Sequence, residues 1–403
     1  MQRLDGANVL IYSHDSFGLG HLRRCREIAH SLVEHYKGLR VLILSGSPII
    51  GSFDFRARVD FVRIPSVVKL RNGDYTSLNK HIDIQQTLSI RSAIINQTAE
   101  VYKPDLFIVD KEPLGLRGEV RETLELLRDS QTHVVLGLRD IMDDPEALQK
   151  EWQRRNVSAS LDRYYDEVWV YGHQLMGNPL EGVGVSARAL SSLKFSGYIM
   201  RHTPSAVSAM PDMPKEPYLL VTTGGGGDGS EMVEWVLRAY ESGEQLPYPA
   251  LIVLGPFMAL KHRNAFVRRI EKLNNVSVQT FSSNMERLTE NAACVVCMGG
   301  YNTFCELMSF DKRAVLVPRS RPRREQLIRA ERASALGLLS YLDGDGERPT
   351  RVMVEALRRL PDQPLPSSAG IDRMLHGLES INQWVYDLIA QRKSDPLNIT
   401  GSG

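Results

Sequence analysis

The sequence predicts an α/β protein with two doubly wound parallel sheets, one in each half of the chain. The chain has 403 residues, which is more than a domain with one hydrophobic core normally contains. Each half alternates short apolar runs with segments of helical periodicity, which is typical of repeated β-α-β units. Ligands of such sheets bind outside the carboxyl ends of the strands, so we expect two domains that face a central cleft.

The first half begins with a predicted strand at 8–12, a glycine-bearing loop at 13–20 and a helix directly after it. Further strands are predicted at 41–44, 106–109, 133–138 and 167–170, with a helix at 117–128. We assign residues 1–200 to this domain and the proline-punctuated residues 201–216 to a linker. The segment 53–76 is too irregular to assign, and an excursion toward an acceptor or a membrane is one interpretation of it.

The second half repeats the alternation. Strands are predicted at 218–222, 250–254, 276–280, 294–297 and 314–317, and helices at 231–240, 265–273, 285–291, 303–309 and 323–336. We assign 217–370 to a second domain. A closing helix is predicted within 371–395, as one long helix over 371–391 that packs back toward the first domain.

Composition excludes several classes of protein. The net charge is +1, which gives no general attraction to nucleic acid. Neither a signal-peptide core nor an apolar run of roughly 18 residues is present. We expect a cytoplasmic protein and leave peripheral contact with the inner face of a membrane open. Cys294 and Cys297 lie in an apolar run, which favours a buried strand over a metal or redox pair.

A glycine run at 222–229 follows a predicted strand and precedes a helix. Glycines allow the backbone to approach an anion, and the helix N-terminus adds free N–H groups, so the run is suited to a diphosphate. The alternative is a tight turn with nothing bound. The residues concerned are Gly224, Gly225, Gly226 and Gly227.

A second glycine turn, Gly299 and Gly300, leads through Asn302 into another predicted helix. Thr303 is placed to cap this helix or to donate to a phosphate. Glu306 follows three residues later and is suited to accept both hydroxyls of a ribose. The alternative is a capping box, in which Glu306 reaches back to the start of its own helix.

A third loop carries four arginines within 319–324. Arginine donates bidentately to phosphate, which makes Arg319 and Arg321 candidate ligands. A solvated basic loop is the alternative. All three loops should meet at the carboxyl edge of the second sheet.

The first loop of the chain offers a base for a proton-transfer reaction. His21 and Asp15 are the candidates, although a histidine at a helix start equally serves as an anion contact or a structural partner. At neighbouring strand ends, Asp110, Glu112 and Asp140 are candidates for an acceptor pocket. We slightly favour the alternative that Asp110 and Asp140 cap loops or helices. No residue spacing indicates a metal site, and arginines with helix termini would neutralise a diphosphate without one.

Residues 298–337 resemble the C-terminal donor-binding domain of the MurG-like glycosyltransferases, family 28. The matching elements are Gly299-Gly300, Thr303, Glu306, the strand ending at Pro318, and the helix opening Glu325-Gln326 with Ala330. Over its whole length the chain resembles a bacterial group of predicted glycosyltransferases, with which it shares residues 18–24 and 321–326.

The resemblance implies two Rossmann-like domains in the GT-B arrangement, the first binding the acceptor and the second the donor. It implies a UDP-type donor, with Glu306 on the ribose. The glycine loop and Thr303 would lie near the diphosphate. We add Gly20 to the donor-binding candidates. Backbone around Phe281 and Met285 would flank the base. Family members contact the donor sugar through two glutamines and a later asparagine. Here those positions are Glu325, Gln326 and Arg329, so an N-acetylglucosamine donor is not carried over.

The sequence therefore predicts a metal-independent, inverting glycosyltransferase without a cofactor. It would move a sugar from a nucleotide-sugar to a hydroxyl on a glycan, a lipid-linked molecule or a small molecule, with His21 or Asp15 as base. The alternatives are a nucleotide-sugar hydrolase on the same scaffold and a non-catalytic nucleotide-sugar-binding protein. A nicotinamide dehydrogenase is disfavoured because Arg23 stands where the fingerprint needs a third glycine.

Overall fold

The computed structural model describes residues 2–14, 20–69, 75–78, 81–203, 214–282 and 284–394. The chain forms two compact units. The first comprises Met1–Ile199 with His376–Gly403, and the second comprises Met200–Leu375. Within the described residues, no helix is both long and apolar enough to span a membrane.

The first unit contains a parallel sheet flanked by helices. Its strands are β1 (Gln2–Arg3), β2 (Asn8–Ser13), β3 (Tyr36–Lys37), β4 (Arg40–Ser45), β5 (Val59–Arg63), β6 (Val67–Lys69), β7 (Tyr75–Ser77), β8 (Leu106–Asp110), β9 (His133–Arg139), β10 (Glu167–Tyr171) and β11 (Leu193–Phe195). Its helices are α1 (Gly20–His35), α2 (Ile84–Tyr102), α3 (Arg121–Arg128), α4 (Pro145–Arg154), α5 (Val157–Tyr164) and α6 (Ala187–Ser191).

The described strands of the main sheet run in the order β11-β10-β9-β8-β2-β4-β5, all parallel. All five residues of β8 are buried, as expected for a strand covered on both faces. The chain builds outward from β2 through β4 and β5, then returns to β8 and continues in the other direction. The boundary between β2 and β8 is therefore the topological switch point, where ligands of such sheets bind.

The second unit repeats this plan. Its strands are β12 (Leu219–Thr222), β13 (Ala250–Val253), β14 (Val276–Gln279), β15 (Cys294–Cys297), β16 (Ala314–Leu316) and β17 (Ser340–Tyr341). Its helices are α7 (Ser230–Glu241), α8 (Leu260–Ile270), α9 (Met285–Asn291), α10 (Tyr301–Ser309), α11 (Glu325–Ala335) and α12 (Thr350–Arg359). The described strands run in the order β14-β13-β12-β15-β16-β17, which places the switch point between β12 and β15.

Several elements differ from the sequence-based expectations. Helix α3 begins at Arg121 instead of 117, because Arg117 and Gly118 both have positive φ and break the helix. Part of the unassigned segment 53–76 is β5, which pairs with β4 at the edge of the sheet. Another part is the antiparallel pair of β6 and β7, while 70–74 lie outside the described residues.

The predicted helix over 371–391 is wrong at its start. Residues Ile371–Met374 form a single 3₁₀ turn, and α13 spans Gly377–Ser394. Gly377 contacts the backbone of Tyr198 so closely that a Cβ would lie 2.6 Å from the Tyr198 carbonyl oxygen. A glycine is therefore required where the last helix begins.

Helix α13 packs on the first unit through one face. Ile381, Val385 and Ile389 are buried at a spacing of four residues. A hydrogen bond also helps to orient the helix on this unit, since the Tyr36 hydroxyl donates to the Asn382 carbonyl at 2.9 Å. The last helix thereby becomes part of the core of the first unit.

Ile381→Ala should lower the free energy of unfolding of the first unit by about 3 kcal/mol, because it leaves a cavity at a buried position. Urea unfolding followed by tryptophan fluorescence measures this, since Trp152, Trp169 and Trp384 all lie in the first unit. Gln383→Ala, on the exposed face of the same helix, is the control and should leave the midpoint unchanged. Equal midpoints for both variants would contradict this packing.

Candidate active site

The switch point of the first sheet brings Asp110 to His21. Asp110 ends β8 and is 1% exposed, and His21 is the second residue of α1, the helix that follows β2 along the chain. His21 Nδ1 and Asp110 Oδ2 are 2.5 Å apart. The slightly favoured expectation that Asp110 caps a loop or helix is wrong, because its carboxylate is used by side chains of α1.

Arg24 completes this cluster from the next turn of α1. Its Nη2 donates to Asp110 Oδ1 at 2.7 Å and to Oδ2 at 2.8 Å, and its Nε donates to Oδ1 at 3.0 Å. The guanidinium carbon also lies 5.6 Å from the centre of the Tyr171 ring. Sequence reasoning missed Arg24, although its spacing of three residues from His21 places both on one face of the helix.

The protonation of the cluster follows from its surroundings. Burial lowers the pKa of His21 to about 4, and the neighbouring Asp110 offsets only part of that effect. For Asp110, burial favours a higher pKa, but the charge of Arg24 and the hydrogen bonds from His21 and Arg24 outweigh it and lower the pKa of the carboxyl. At neutral pH the pair is thus a neutral imidazole beside an ionised carboxylate. Because the carboxylate only accepts, Nδ1 of His21 carries the proton and Nε2 keeps a free lone pair.

His21 remains accessible while its partners are buried. Its side chain is 21% exposed, whereas those of Arg24 and Asp110 are 2% and 1% exposed. A base that is oriented by a buried carboxylate and is itself partly exposed to solvent is suited to take a proton from a hydroxyl. The other candidate base, Asp15, lies outside the described residues.

A second buried network lies beside this cluster. Arg91 pairs with Glu119 through Nε and Nη2, both at 2.6 Å, and the Tyr12 hydroxyl donates to Glu119 Oε1 at 2.5 Å. The Tyr12 oxygen is 3.3 Å from His14 Nδ1, and the His14 and His21 rings lie 5.7 Å apart. Nothing in the sequence pattern indicates this arrangement, because its members come from distant parts of the chain.

The two remaining acceptor-side candidates form hydrogen bonds with other side chains of the first unit. Glu112 accepts from Arg155 Nη1 at 2.8 Å, and burial, which would raise its pKa, is outweighed by Lys111, His14 and Arg155, so the pKa is lowered. Asp140 accepts from the Tyr198 hydroxyl at 2.8 Å. Both lie at the same sheet edge as Asp110, after β8 and β9.

In the second unit, the first glycine loop interlocks with the loop after β13. Gly226 has a φ of +87°, and a Cβ on it would lie 2.4 Å from the Leu254 carbonyl oxygen. The Thr223 hydroxyl donates to the same carbonyl at 2.6 Å. Gly224, Gly225 and Gly227 are exposed, so their backbone faces solvent at the switch point.

The second glycine turn opens α10. Gly300 is the N-cap and makes no side-chain cap, so Thr303 is in the third position inside the helix and does not cap it. The capping-box alternative is therefore wrong for Glu306, which is 2% exposed. Asn302 accepts from Arg201 Nη2 at 2.8 Å. Phe281 is 47% exposed after β14, and Met285 begins α9.

Arg319 ties the third loop to the first. Its Nε lies 3.2 Å from Asp228 Oδ2, and its Nη2 donates to Glu325 Oε1 at 2.7 Å. Gln326 Oε1 accepts from the Arg319 backbone at 3.2 Å, and a Cβ on Gly300 would lie 3.9 Å from Gln326 Nε2. The three loops thus converge as expected, and Arg319 already pairs with two carboxylates.

Arg321 of the third loop and two residues of helix α11, Glu325 and Arg329, differ in exposure. Arg321 is exposed. Arg329 is fully buried and donates from Nη1 to the Gly299 carbonyl at 3.0 Å, so it supports the second glycine turn from beneath. Glu325 is 4% exposed, and its Oε2 has no hydrogen-bond partner among the described residues. In the described part of the chain, no three His, Cys, Asp or Glu side chains are grouped to hold a metal ion.

The chain resembles known proteins in both sequence and fold. Residues 220–364 match the model of the glycosyltransferase family 28 C-terminal domain. The glycotransferase of kitacinnamycin aligns at 15% identity and a TM-score of 0.65, covering 96% of this chain and 99% of that one. MurG from Acinetobacter baumannii aligns at 13% identity and a TM-score of 0.59, covering 96% and 99%.

A third solved structure is Phytolacca americana UGT2 complexed with UDP-2fluoro-glucose and pterostilbene. It aligns at 13% identity and a TM-score of 0.59, covering 96% of this chain and 99% of that one. No curated protein sequence matches significantly. At these identities the solved structures show the fold, which is that of the GT-B glycosyltransferases.

Fold and family match together define a class: the chain is a glycosyltransferase with two Rossmann-like domains. More particularly, residues 220–364 match the family 28 C-terminal domain, and the chain as a whole shares its fold with MurG.

Gly226→Ala should destabilise the second unit by roughly 2 kcal/mol or more, because the new Cβ meets a backbone oxygen at a positive φ. Gly227→Ala is the matched control, since its Cβ meets no described heavy atom within 4 Å. Differential scanning calorimetry compares the two. A Gly226→Ala protein as stable as the control would show that the loop does not need this close contact.

Proposed function

We propose that this glycosyltransferase moves a sugar from a UDP-sugar to an acceptor hydroxyl with inversion and without a metal. The acceptor oxygen attacks the anomeric carbon of the donor while its proton passes to His21 Nε2. The bond from the anomeric carbon to the diphosphate oxygen breaks, and UDP leaves with that electron pair. The observation that carries the proposal is the hydrogen bond that joins partly exposed His21 to buried Asp110.

Asp110 supports this role in two ways. It fixes the tautomer that leaves Nε2 free, and it stabilises the imidazolium that forms as the proton arrives. Arg24 keeps Asp110 ionised in a buried place, where a lone carboxylate would take up a proton. Burial makes His21 a weak base, but it also keeps the ring unprotonated over the physiological range of pH.

The donor is assigned to the switch point of the second sheet. Helices α7 and α10 begin there, directly after their N-cap residues Gly229 and Gly300, neither of which provides a side-chain cap. The partial positive charge of these helix N-termini is suited to the diphosphate. We assign Glu306 to the ribose and the exposed ring of Phe281 to the side of the base. Arg321 would add charge from the rim.

Glu325 and Gln326 are assigned to the donor sugar. Glu325 Oε2 is buried without a described partner, and a buried carboxylate oxygen is costly unless a donor reaches it. A sugar hydroxyl supplies such a donor. Arg329, by contrast, is withdrawn from the sugar contacts, because its guanidinium is buried under Gly299.

Two further parts of the proposal rest on separate grounds. The preference for UDP is supported by the resemblance to UGT2, whose structure contains a UDP-sugar. Metal independence is supported by the two helix N-termini and the arginines, which provide the positive charge that the leaving diphosphate needs. Activity in the presence of EDTA tests the latter.

His21→Ala should lower kcat by about 10²–10⁴-fold, because proton transfer by a positioned base contributes that much. Asp110→Asn should also lower kcat, since it removes the charge that stabilises protonated His21. Initial rates of UDP release measure both, and donor binding measured by calorimetry should be unchanged. Full activity of His21→Ala would exclude it as the base.

The pH profile offers an independent check. The folded pKa of His21 is lowered from 6.5 to about 4, so the base stays unprotonated as the pH falls through 6.5. We expect kcat to be level down to about pH 5 and to decline toward pH 4. An acidic limb centred near pH 6.5 would mean that His21 is not the titrating base.

Glu306→Ala should weaken UDP binding by roughly tenfold or more, because hydrogen bonds to a charged group contribute about 1.5–3 kcal/mol. Glu331→Ala, an exposed carboxylate on α11, is the matched control. Isothermal titration calorimetry with UDP and with uridine separates ribose from diphosphate contacts. If UDP binds Glu306→Ala as tightly as the control, the ribose assignment is wrong.

A further inference from the structure

His14 is a second buried histidine at the carboxyl edge of the first sheet. It directly follows β2 and is 4% exposed. Its ring lies nearly perpendicular to that of His21, at 83°, with 5.7 Å between the ring centres. The proposed base and this second imidazole therefore border the same space.

Buried charges fix the tautomer of His14. Glu119 accepts two hydrogen bonds from Arg91 and one from the Tyr12 hydroxyl, so the Tyr12 hydrogen is already used. The Tyr12 oxygen can then only accept, from the Leu116 backbone N–H at 3.3 Å and from His14 Nδ1 at 3.3 Å. His14 consequently carries its proton on Nδ1 and a lone pair on Nε2.

The network that imposes this tautomer is buried. Arg91, Tyr12 and Glu119 are 1%, 0% and 4% exposed. Hydrogen bonds to charged groups are about twice as strong as neutral ones, and in a buried network they hold their geometry. Burial also lowers the pKa of His14 well below its usual value, so the ring is neutral.

None of the described residues donates a hydrogen bond to His14 Nε2. A lone pair in a nearly buried place favours any ligand that brings a donor. In contrast, a structural histidine of this kind would normally have both nitrogens satisfied within the protein.

We propose that His14 is an acceptor-binding residue, whose Nε2 accepts a hydrogen bond from a second polar group of the acceptor beside the hydroxyl that His21 deprotonates. The inference rests on the proposed function of His21. It specifies a substrate class: an acceptor with two neighbouring hydroxyls, as on a sugar ring, in preference to an isolated alcohol. Arg91, Glu119 and Tyr12 act as positioning residues behind it.

Histidine-selective ¹⁵N NMR of the whole protein tests the tautomer without any substrate. At pH 7, His14 should be neutral with its proton on Nδ1. Tyr12→Phe should release this preference, while Tyr164→Phe, which removes another tyrosine–glutamate hydrogen bond in the same unit, should not. A proton on Nε2 in the wild type, or no change in Tyr12→Phe, would overturn the inference.

Titration with two probes tests the ligand class in the same spectra. Trans-cyclohexane-1,2-diol should shift the His14 Nε2 resonance, and cyclohexanol, which has one hydroxyl, should not. With both probes as acceptors, His14→Phe should lower kcat/KM for the diol up to about tenfold more than for cyclohexanol, the effect of one neutral hydrogen bond. No response of Nε2 to the diol, or an equal loss for both probes, would overturn the proposal.

The two proposals fail in distinguishable ways. If the wild type transfers no sugar from any nucleotide-sugar, the proposed function fails while the tautomer and the titration are still read by NMR. If transfer occurs through His21 but His14 Nε2 carries the proton, only the present inference fails.

Discussion

The ionised carboxylate of Asp110 is the constraint on which the site of the first unit depends. A carboxylate that is 1% exposed stays charged only if an opposite charge and hydrogen bonds offset the free-energy cost of its desolvation. Arg24 provides the charge and donates three hydrogen bonds to Asp110. Asp110 forms one further short hydrogen bond, with His21. If Arg24 were absent, Asp110 would take up a proton and His21 would lose the partner that orients it.

The sheet topology makes this interaction possible. Because β8 pairs with β2, the residue that ends β8 lies beside the helix that follows β2. His21 and Arg24 are one turn apart on that helix and reach the same carboxylate. The same switch point brings in His14, so two neutral imidazoles, each with an assigned proton, lie at one edge of a sheet. In our proposal, that edge provides both the base and a second contact for the acceptor.

Charged groups have a different role in the second unit. Its glycine loops pack backbone closely against backbone, and two of its arginines hold those loops together. Arg319 joins Asp228 to Glu325, and Arg329 supports Gly299. In our proposal, the positive charge for a diphosphate therefore comes more from the helix N-termini than the arginine-rich sequence suggests.

Much of this could be predicted from the sequence because it is local. Alternating apolar runs predicted the two sheets, and glycines between strand and helix predicted the loops that meet at the second switch point. The partner of Asp110 could not be predicted, since a carboxylate at a strand end looks the same whether it caps a loop or pairs with a distant helix. The start of α13 depended on the close backbone contact at Gly377, and the His14 network joins residues 77 or more positions apart, from Tyr12 and His14 to Arg91 and Glu119. Such features arise only when the chain is folded.

We propose above all that His21 acts as the base in a single displacement at the anomeric carbon. Proton NMR of the first product formed reports the configuration of the new glycosidic bond. We expect the anomeric configuration opposite to that of the donor, because one displacement inverts the carbon. Retention of the donor configuration would contradict it, since retention requires either two displacements or attack from the side of the leaving diphosphate.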